Sequence, residues 1–376
     1  MSSAKKIIAL KVMGDFGKIS ALLIYNEAMN TNLLELARKN GNPVIQGNQV
    51  TFVWKGKSAP YFIDDIHFWE DAPQKMKRIA PELWTYSTEL DPAAYLEYSF
   101  YELRTKKRVK DPLNKNTIFN GIKHYNHFFY MPEARPTSLA TKRRDVPRGK
   151  VTHHLVDTWM IQDGGKRELF LYQPPVKGPV PLLLVYDGTD YLKRAMLNVI
   201  VDNLIYQKRI QPIAMAFIQN GDDRRGVEYA CSDATIMTIE NSILPFASKK
   251  LNLLDIKKNR GAYGVLGASF GGLMSMYTGL RMPDIFGRVI SQSSVFASEG
   301  RDFVAVDLIR AKQSREIKIW MDIGHYDWLL EDNRRLQPLL LDNGYNVTYR
   351  EFVGGHNYTC WRDEIWRGLE AMFPMK

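Results

Sequence analysis

The chain has 376 residues, enough for two domains of ordinary size. Hydrophobic residues make up 45% of it and aromatic residues 12%, which supplies a sizeable core to each half and excludes a disordered polymer. The formal charge of +10 lies almost wholly in residues 1–150, where 24 Lys and Arg face 15 Asp and Glu. No nucleic-acid motif accompanies that surplus, so it reads first as a solvated basic face and second as an attraction for an anionic substrate.

In chain order, the apolar run Ile7–Leu10 is broken by Lys11, well short of a secretory signal core. No stretch approaches the roughly 20 apolar residues of a membrane span, so a cytoplasmic protein is expected. Cys231 and Cys360, the two cysteines, permit neither a disulfide framework nor a zinc-site spacing, which suits a reducing compartment. Leu33–Arg38 predicts a short helix ending near Asn40-Gly41. Val50–Trp54, Tyr61–Ile63, Leu83–Tyr86 and Tyr95–Phe100 alternate aromatic and β-branched residues between Pro- and Asp-bearing turns, the pattern of an antiparallel sandwich. This first domain is placed at residues 1–131. Residues 132–150, rich in Pro, Arg, Lys, Ser and Thr, are expected to form a linker.

Residues 151–376 read as an α/β domain. Val151–Met160 and Arg167–Tyr172 flank Asp163-Gly164-Gly165, a hairpin signal. Short apolar runs follow at Leu182–Tyr186, Ile213–Ile218, Tyr263–Gly267, Val289–Ser291 and Ile317–Met321, and the last strand is placed at Val347–Phe352. Helices are expected between most of them, at Tyr191–Tyr206, Ala234–Ala247 and Asn333–Leu341. Strands alternating with helices predict a mostly parallel sheet covered on both faces, with ligands at the carboxyl ends of the strands.

One such strand end carries Gly267-Ala268-Ser269-Phe270-Gly271. A Gly-x-Ser-x-Gly stretch between a strand and a helix is the context of a serine nucleophile, because the glycines permit a sharp turn that lifts the hydroxyl. Gly272, Ser275 and Gly279 keep the sheet side of the following helix small. The nucleophile needs a base, and chain order in this fold runs Ser, acid, His. His356 lies in Gly354-Gly355-His356-Asn357, just after the last strand, and is preferred to His325. Asp327, past the end of the preceding strand, is preferred as the acid to Asp322 within it and to Asp332, which suits a helix N-cap. For the oxyanion hole the Phe270 N–H is one expected donor, and Thr189 or Gly188 in Tyr186-Asp187-Gly188-Thr189-Asp190 is the other. The histidine spacings suit no metal, and no cofactor is expected.

These residues resemble the enterochelin esterase family, within the wider esterase D-like group of α/β-hydrolases. The resemblance rests on Asp187-Gly188, the elbow 267–272, Gly354–Arg362, and Arg225–Cys231 with its continuation to Leu244-Pro245. Earlier pieces add to it: Val50–Trp54, Met76–Ile79, Trp84, Tyr98–Phe100 and Asp111–Asn114 are similar to the leading domain of that family. The resemblance covers about residues 30–370. It implies an α/β-hydrolase domain behind an immunoglobulin-like β-sandwich akin to early-set carbohydrate-binding modules. It also implies hydrolysis of a macrocyclic siderophore trilactone in the cytoplasm, any iron belonging to the substrate. By the same resemblance Asp187, Gly188, Arg225, Glu228 and Trp361 are substrate-binding candidates. Arg225 and Glu228 are alternatively a structural ion pair three residues apart. The chain departs from the family at Asn357, where Asp usually stands.

The leading expectation is therefore an intracellular serine esterase acting on a small-molecule ester, by the resemblance an anionic ferric siderophore, without nucleic acid or membrane partners. The alternatives are an esterase for feruloyl, acetyl or other small aryl or sugar esters, and a non-catalytic protein whose sandwich holds glycan or siderophore.

Overall fold

A computed structural model describes residues 32–121, 124–161, 165–311 and 316–375. The expectations for Met1–Ser20 and for the tip Asp163-Gly164 lie outside the described residues. The chain divides into two compact units, residues 1–134 and 135–376.

In the first unit a helix over residues 32–40 leads into two antiparallel sheets. One joins Val44–Gln46, Gln49–Lys55, Leu83–Glu89 and Lys77–Ala80; the other is built on Tyr61–Asp64, Tyr95–Glu102 and Tyr125–Tyr130. The sheets meet face to face through aromatic side chains. Phe52 of the first lies 4.2 Å from Phe62 and 4.8 Å from Tyr98 of the second, ring centre to ring centre. Each such fully buried ring contributes about 1.5–3 kcal/mol by leaving water. The alternation in the sequence produces this face directly, since every second side chain of a strand points to the same side.

Residues 132–150 do not run free over their whole length. Leu139 and Val146 are buried, and Thr137, Leu139, Thr141 and Gly149 bond to Asp363, Asn203 and Asp202 of the second unit. The segment's polar composition suggested a linker, but its few apolar residues and its backbone groups find partners on the α/β unit.

The second unit is an eight-stranded sheet. Its strands are β1 Lys150–Asp157, β2 Lys166–Gln173, β3 Leu182–Val185, β4 Ala214–Ile218, β5 Tyr263–Ala268, β6 Phe286–Gln292, β7 Lys318–Gly324 and β8 Asn346–Phe352. They lie in the order β1-β2-β4-β3-β5-β6-β7-β8, antiparallel through β1, β2 and β4 and parallel from β4 onward. Strands β3, β4 and β5 are buried at every position, as runs covered on both faces must be. One face carries Leu182, Leu184, Val265, Val289 and Ile319 into a cluster with Leu273, Tyr277, Leu336 and Leu340. Four helices matter for the site: α1 Leu197–Tyr206, α2 Phe270–Arg281, α3 Leu330–Asp342 and α4 Tyr358–Met372. The opposite face of the sheet meets α4, where Gly368 packs on Trp320 and Ile290. The expected single helix Tyr191–Tyr206 is two, Gly188–Lys193 and α1, because Met196 adopts a left-handed conformation between them. Asp332 is not an N-cap: α3 starts earlier, with Leu329 at the cap, so Asp332 falls in its first turn.

Candidate active site

Ser269, Asp327 and His356 follow β5, β7 and β8 respectively, so all three stand at the carboxyl edge of the parallel strands. Ser269 has φ 58° and ψ −126°, a conformation that costs a non-glycine residue of the order of 1–3 kcal/mol. Its surroundings impose that conformation. A Cβ on Gly267 would lie 2.2 Å from the Gly271 carbonyl oxygen, and one on Gly272 would lie 1.8 Å from Ser294 Oγ. Only glycine lets α2 start this close to β5 and β6. Gly279 likewise admits Val289, and Ser275 donates back to the Gly271 carbonyl at 2.8 Å, so the sheet side of α2 is small throughout. The Ser269 N–H is held by the Gln292 carbonyl at 3.0 Å.

His356 and Asp327 meet, Nδ1 to Oδ2 at 2.8 Å. The other Asp327 oxygen accepts the Leu329 N–H at 3.0 Å, which fixes the carboxylate; its side chain is fully buried. With Nδ1 donating to Asp327, Nε2 of the imidazole is left as the basic nitrogen. His325, the competing histidine, instead faces Glu351 at 3.3 Å and is 45% exposed. Asp322 is wholly buried within β7 and accepts from Trp320 Nε1 at 2.8 Å and Gln292 Nε2 at 3.3 Å. Burial, only partly offset by those bonds, pushes its carboxyl up to about 7.

The Phe270 N–H opens α2 and finds no acceptor among the described residues; neither do the Gly188 and Thr189 N–H groups at the start of the Gly188–Lys193 helix. Free donors at helix starts are what stabilisation of a developing oxyanion requires. A Cβ on Gly188 would lie 2.4 Å from the Phe217 carbonyl carbon, so that glycine allows the turn to sit on β4. Beside Thr189 opens a cleft of about 410 Å³, lined by Lys166, Arg167, Gln219, Asn220 and Arg224 among others.

The remaining candidates have other partners. Arg225 clasps Asp187 with two bonds, Nε to Oδ1 at 2.7 Å and Nη2 to Oδ2 at 2.6 Å, and also reaches the Ala268 carbonyl at 3.3 Å. Burial opposes the charge of Arg225, but Asp187 more than offsets it, so the guanidinium is held above its ordinary pKa. Asn220 Nδ2 donates to Asp187 Oδ1 at 2.7 Å, completing the clasp. Glu228 pairs with Arg167, so Arg225 and Glu228 do not form the alternative ion pair that their spacing suggested. Trp361 is buried in the first turn of α4, edge-on to the His356 ring. Asn357 caps α4, its Oδ1 accepting the Cys360 N–H at 2.9 Å.

Sequence reasoning missed Arg167, Asn220 and Ser293, whose partners are remote in the chain. Trp328 was also missed, although its place next to Asp327 was a signal in plain view. Its ring centre lies 4.1 Å from that of His356.

The "Putative esterase" family matches residues 163–372. The chain belongs to this family. The esterase is 23% identical over 366 residues to the iron(III) enterobactin esterase of Escherichia coli K12, an alignment covering 85% of this chain and 90% of that protein. It is also similar to the iron(III) salmochelin esterase of Escherichia coli O6:H1, at 22% identity over 85% and 86% of the two chains. Among solved structures, ferric enterobactin esterase from Salmonella typhimurium superposes with a TM-score of 0.74 at 22% identity, covering 88% of this chain and 95% of that one. The Shigella flexneri enterobactin esterase, solved in the presence of 2,3-dihydroxy-N-benzoyl-serine, gives 0.71 at 20% identity over 88% and 94%. The protein is thus a carboxylic ester hydrolase of enterochelin esterase-like kind.

Proposed function

We propose that this esterase cleaves ester or lactone bonds of siderophore type through an acyl-enzyme, with Ser269 as nucleophile, His356 as general base and Asp327 as its orienting acid. The observation that carries the reading is the 2.8 Å bond from His356 Nδ1 to buried Asp327, at the sheet edge that also holds the strained Ser269. Nε2 takes the Ser269 proton as Oγ attacks the ester carbonyl, and returns it to the departing alkoxide. Water, deprotonated by the same nitrogen, then releases the acid and frees Ser269. The oxyanion is received by the Phe270 N–H and by that of Thr189 or Gly188. The substrate class rests on likeness to the enterobactin and salmochelin esterases along most of the chain. Asn357, where the family usually carries Asp, keeps the cap of α4, since the two residues cap about equally well. On the same reading the leading sandwich is an immunoglobulin-like module.

A fluorophosphonate probe labels the wild type and fails to label Ser269→Ala. Turnover of a serine trilactone carrying catechol amides, set against turnover of feruloyl and acetyl esters on the same preparation, fixes the class. Full esterase activity in Ser269→Ala refutes the mechanism, and preference for acetyl or feruloyl esters refutes the substrate.

A further inference from the structure

The base of this site is held by more than its acid. His356 is nearly buried, its side chain 10% exposed, and it lies between two indoles. Trp328 leans over one side, with ring centres 4.1 Å apart and planes 36° apart. Trp361 meets it edge-on at 4.9 Å and 84°. Trp361 is itself fixed. Its Nε1–H donates to Ser293 Oγ at 2.9 Å, and Tyr358 packs on it at 4.7 Å. Ser293 takes a positive φ of 44°, and its own N–H is bound by the Asp322 carbonyl at 2.7 Å. The residue just before it, Gln292, supplies the carbonyl that anchors the Ser269 N–H and bonds the Trp361 carbonyl through Nε2 at 3.4 Å. Nucleophile backbone and base ring are therefore both referred to the same two residues, Gln292 and Ser293.

We propose that Trp328 and Trp361 are positioning residues that bracket His356: Trp361 registers the imidazole against the Gln292-Ser293 turn that also holds Ser269, and Trp328 closes its outer side. The inference rests on the reading of Ser269, His356 and Asp327 as a hydrolytic triad. A single bond to Asp327 leaves the imidazole free to swing about that bond, and two walls at different angles remove the swing. Near-attack geometry tolerates little such motion. The π-face of Trp328 also favours the imidazolium that forms as His356 takes the proton, an effect confined to the transition state and intermediates.

The test compares Trp328→Leu, Trp328→Phe and Trp361→Phe with wild type on a small uncharged aryl ester. Trp328→Leu is expected to lower kcat about tenfold with KM within about twofold, and to slow fluorophosphonate labelling in parallel. Trp328→Phe, which restores a ring face, recovers most of the loss. Trp361→Phe keeps a ring while losing the Ser293 bond, and is expected to lower kcat without moving KM. Independently of turnover, the His356 Cε1–H resonance is expected to move downfield in Trp328→Leu as indole shielding is lost. An unmoved resonance, an unchanged kcat or a rise in KM alone overturns the bracket. A wild type that neither labels nor hydrolyses, yet shows the shielded resonance, defeats the triad reading and leaves the bracket standing as geometry.

Discussion

Replacing Arg225 by Met separates two roles for this side chain, a clasp on Asp187 and a handle for an anionic substrate. Asp187 is 1% exposed and takes two of its three side-chain bonds from Arg225, the third coming from Asn220. Removing one partner of a buried pair costs about 3–5 kcal/mol, since the other charge stays buried and unpaired. Arg225 keeps 27% of its side chain exposed, and Asn220 remains, so the lower end, about 3 kcal/mol, is expected. Urea unfolding of the second unit's transition measures this as a lower midpoint at unchanged slope. The double variant Asp187→Asn with Arg225→Met, which removes both charges, is expected to recover at least half of the loss. The clasp also touches the carbonyl of Ala268, the residue before Ser269, so kcat is expected to fall for neutral and anionic esters alike. Stability within about 0.5 kcal/mol of wild type, with a KM increase confined to anionic esters, refutes this account and returns Arg225 to the substrate.

Asp327→Asn leaves the shape of the site intact but removes the acceptor that selects the imidazole tautomer, and kcat is expected to fall by about 10⁴ with KM little changed. Asn357→Asp keeps the cap of α4 and is expected to be neutral in thermal unfolding, whereas Asn357→Ala costs about 1 kcal/mol. Asp322→Asn is expected to stabilise the protein at pH 8 and not at pH 4. The Asp322 carboxyl sits near 7 in the fold, against about 4 when unfolded, so both states hold the proton at low pH. As pH rises from about 4 to 7 only the unfolded state releases it, and wild-type stability falls by at most about 4 kcal/mol, then stays level. Melting curves of the two proteins across that interval test it, and parallel curves would sink the reasoning.

What the sequence made legible follows from the range of the forces concerned. The elbow is local: strand, glycines and serine lie within a dozen residues, and their steric logic needs no knowledge of the rest. The helix at 32–40, the aromatic alternation of the sandwich and the apolar runs of β3, β4 and β5 are likewise properties of short windows, so they could be read directly. Chain order was enough to bring Asp327 and His356 together, because consecutive parallel strands deliver their ends to one edge, where the two share a bond of 2.8 Å. Arg225 shows where such reading stops. Its true partner is Asp187, 38 residues earlier, while the neighbour that spacing offered, Glu228, belongs to Arg167 on an antiparallel strand. A helix-spacing rule weighs i and i+3 alone, whereas a buried charge takes whichever opposite charge the sheet order brings within reach, since desolvation penalises every alternative. Trp361 makes the same point from the other side. The family resemblance suggested a surface for substrate, but the amphipathic face of α4 turns it inward, where its one polar side-chain atom must find a partner and does so on Ser293, 68 residues away. The strained turn at Ser269 was thus legible in its own short window, and the contacts around His356 became visible only once the sheet had ordered its strands.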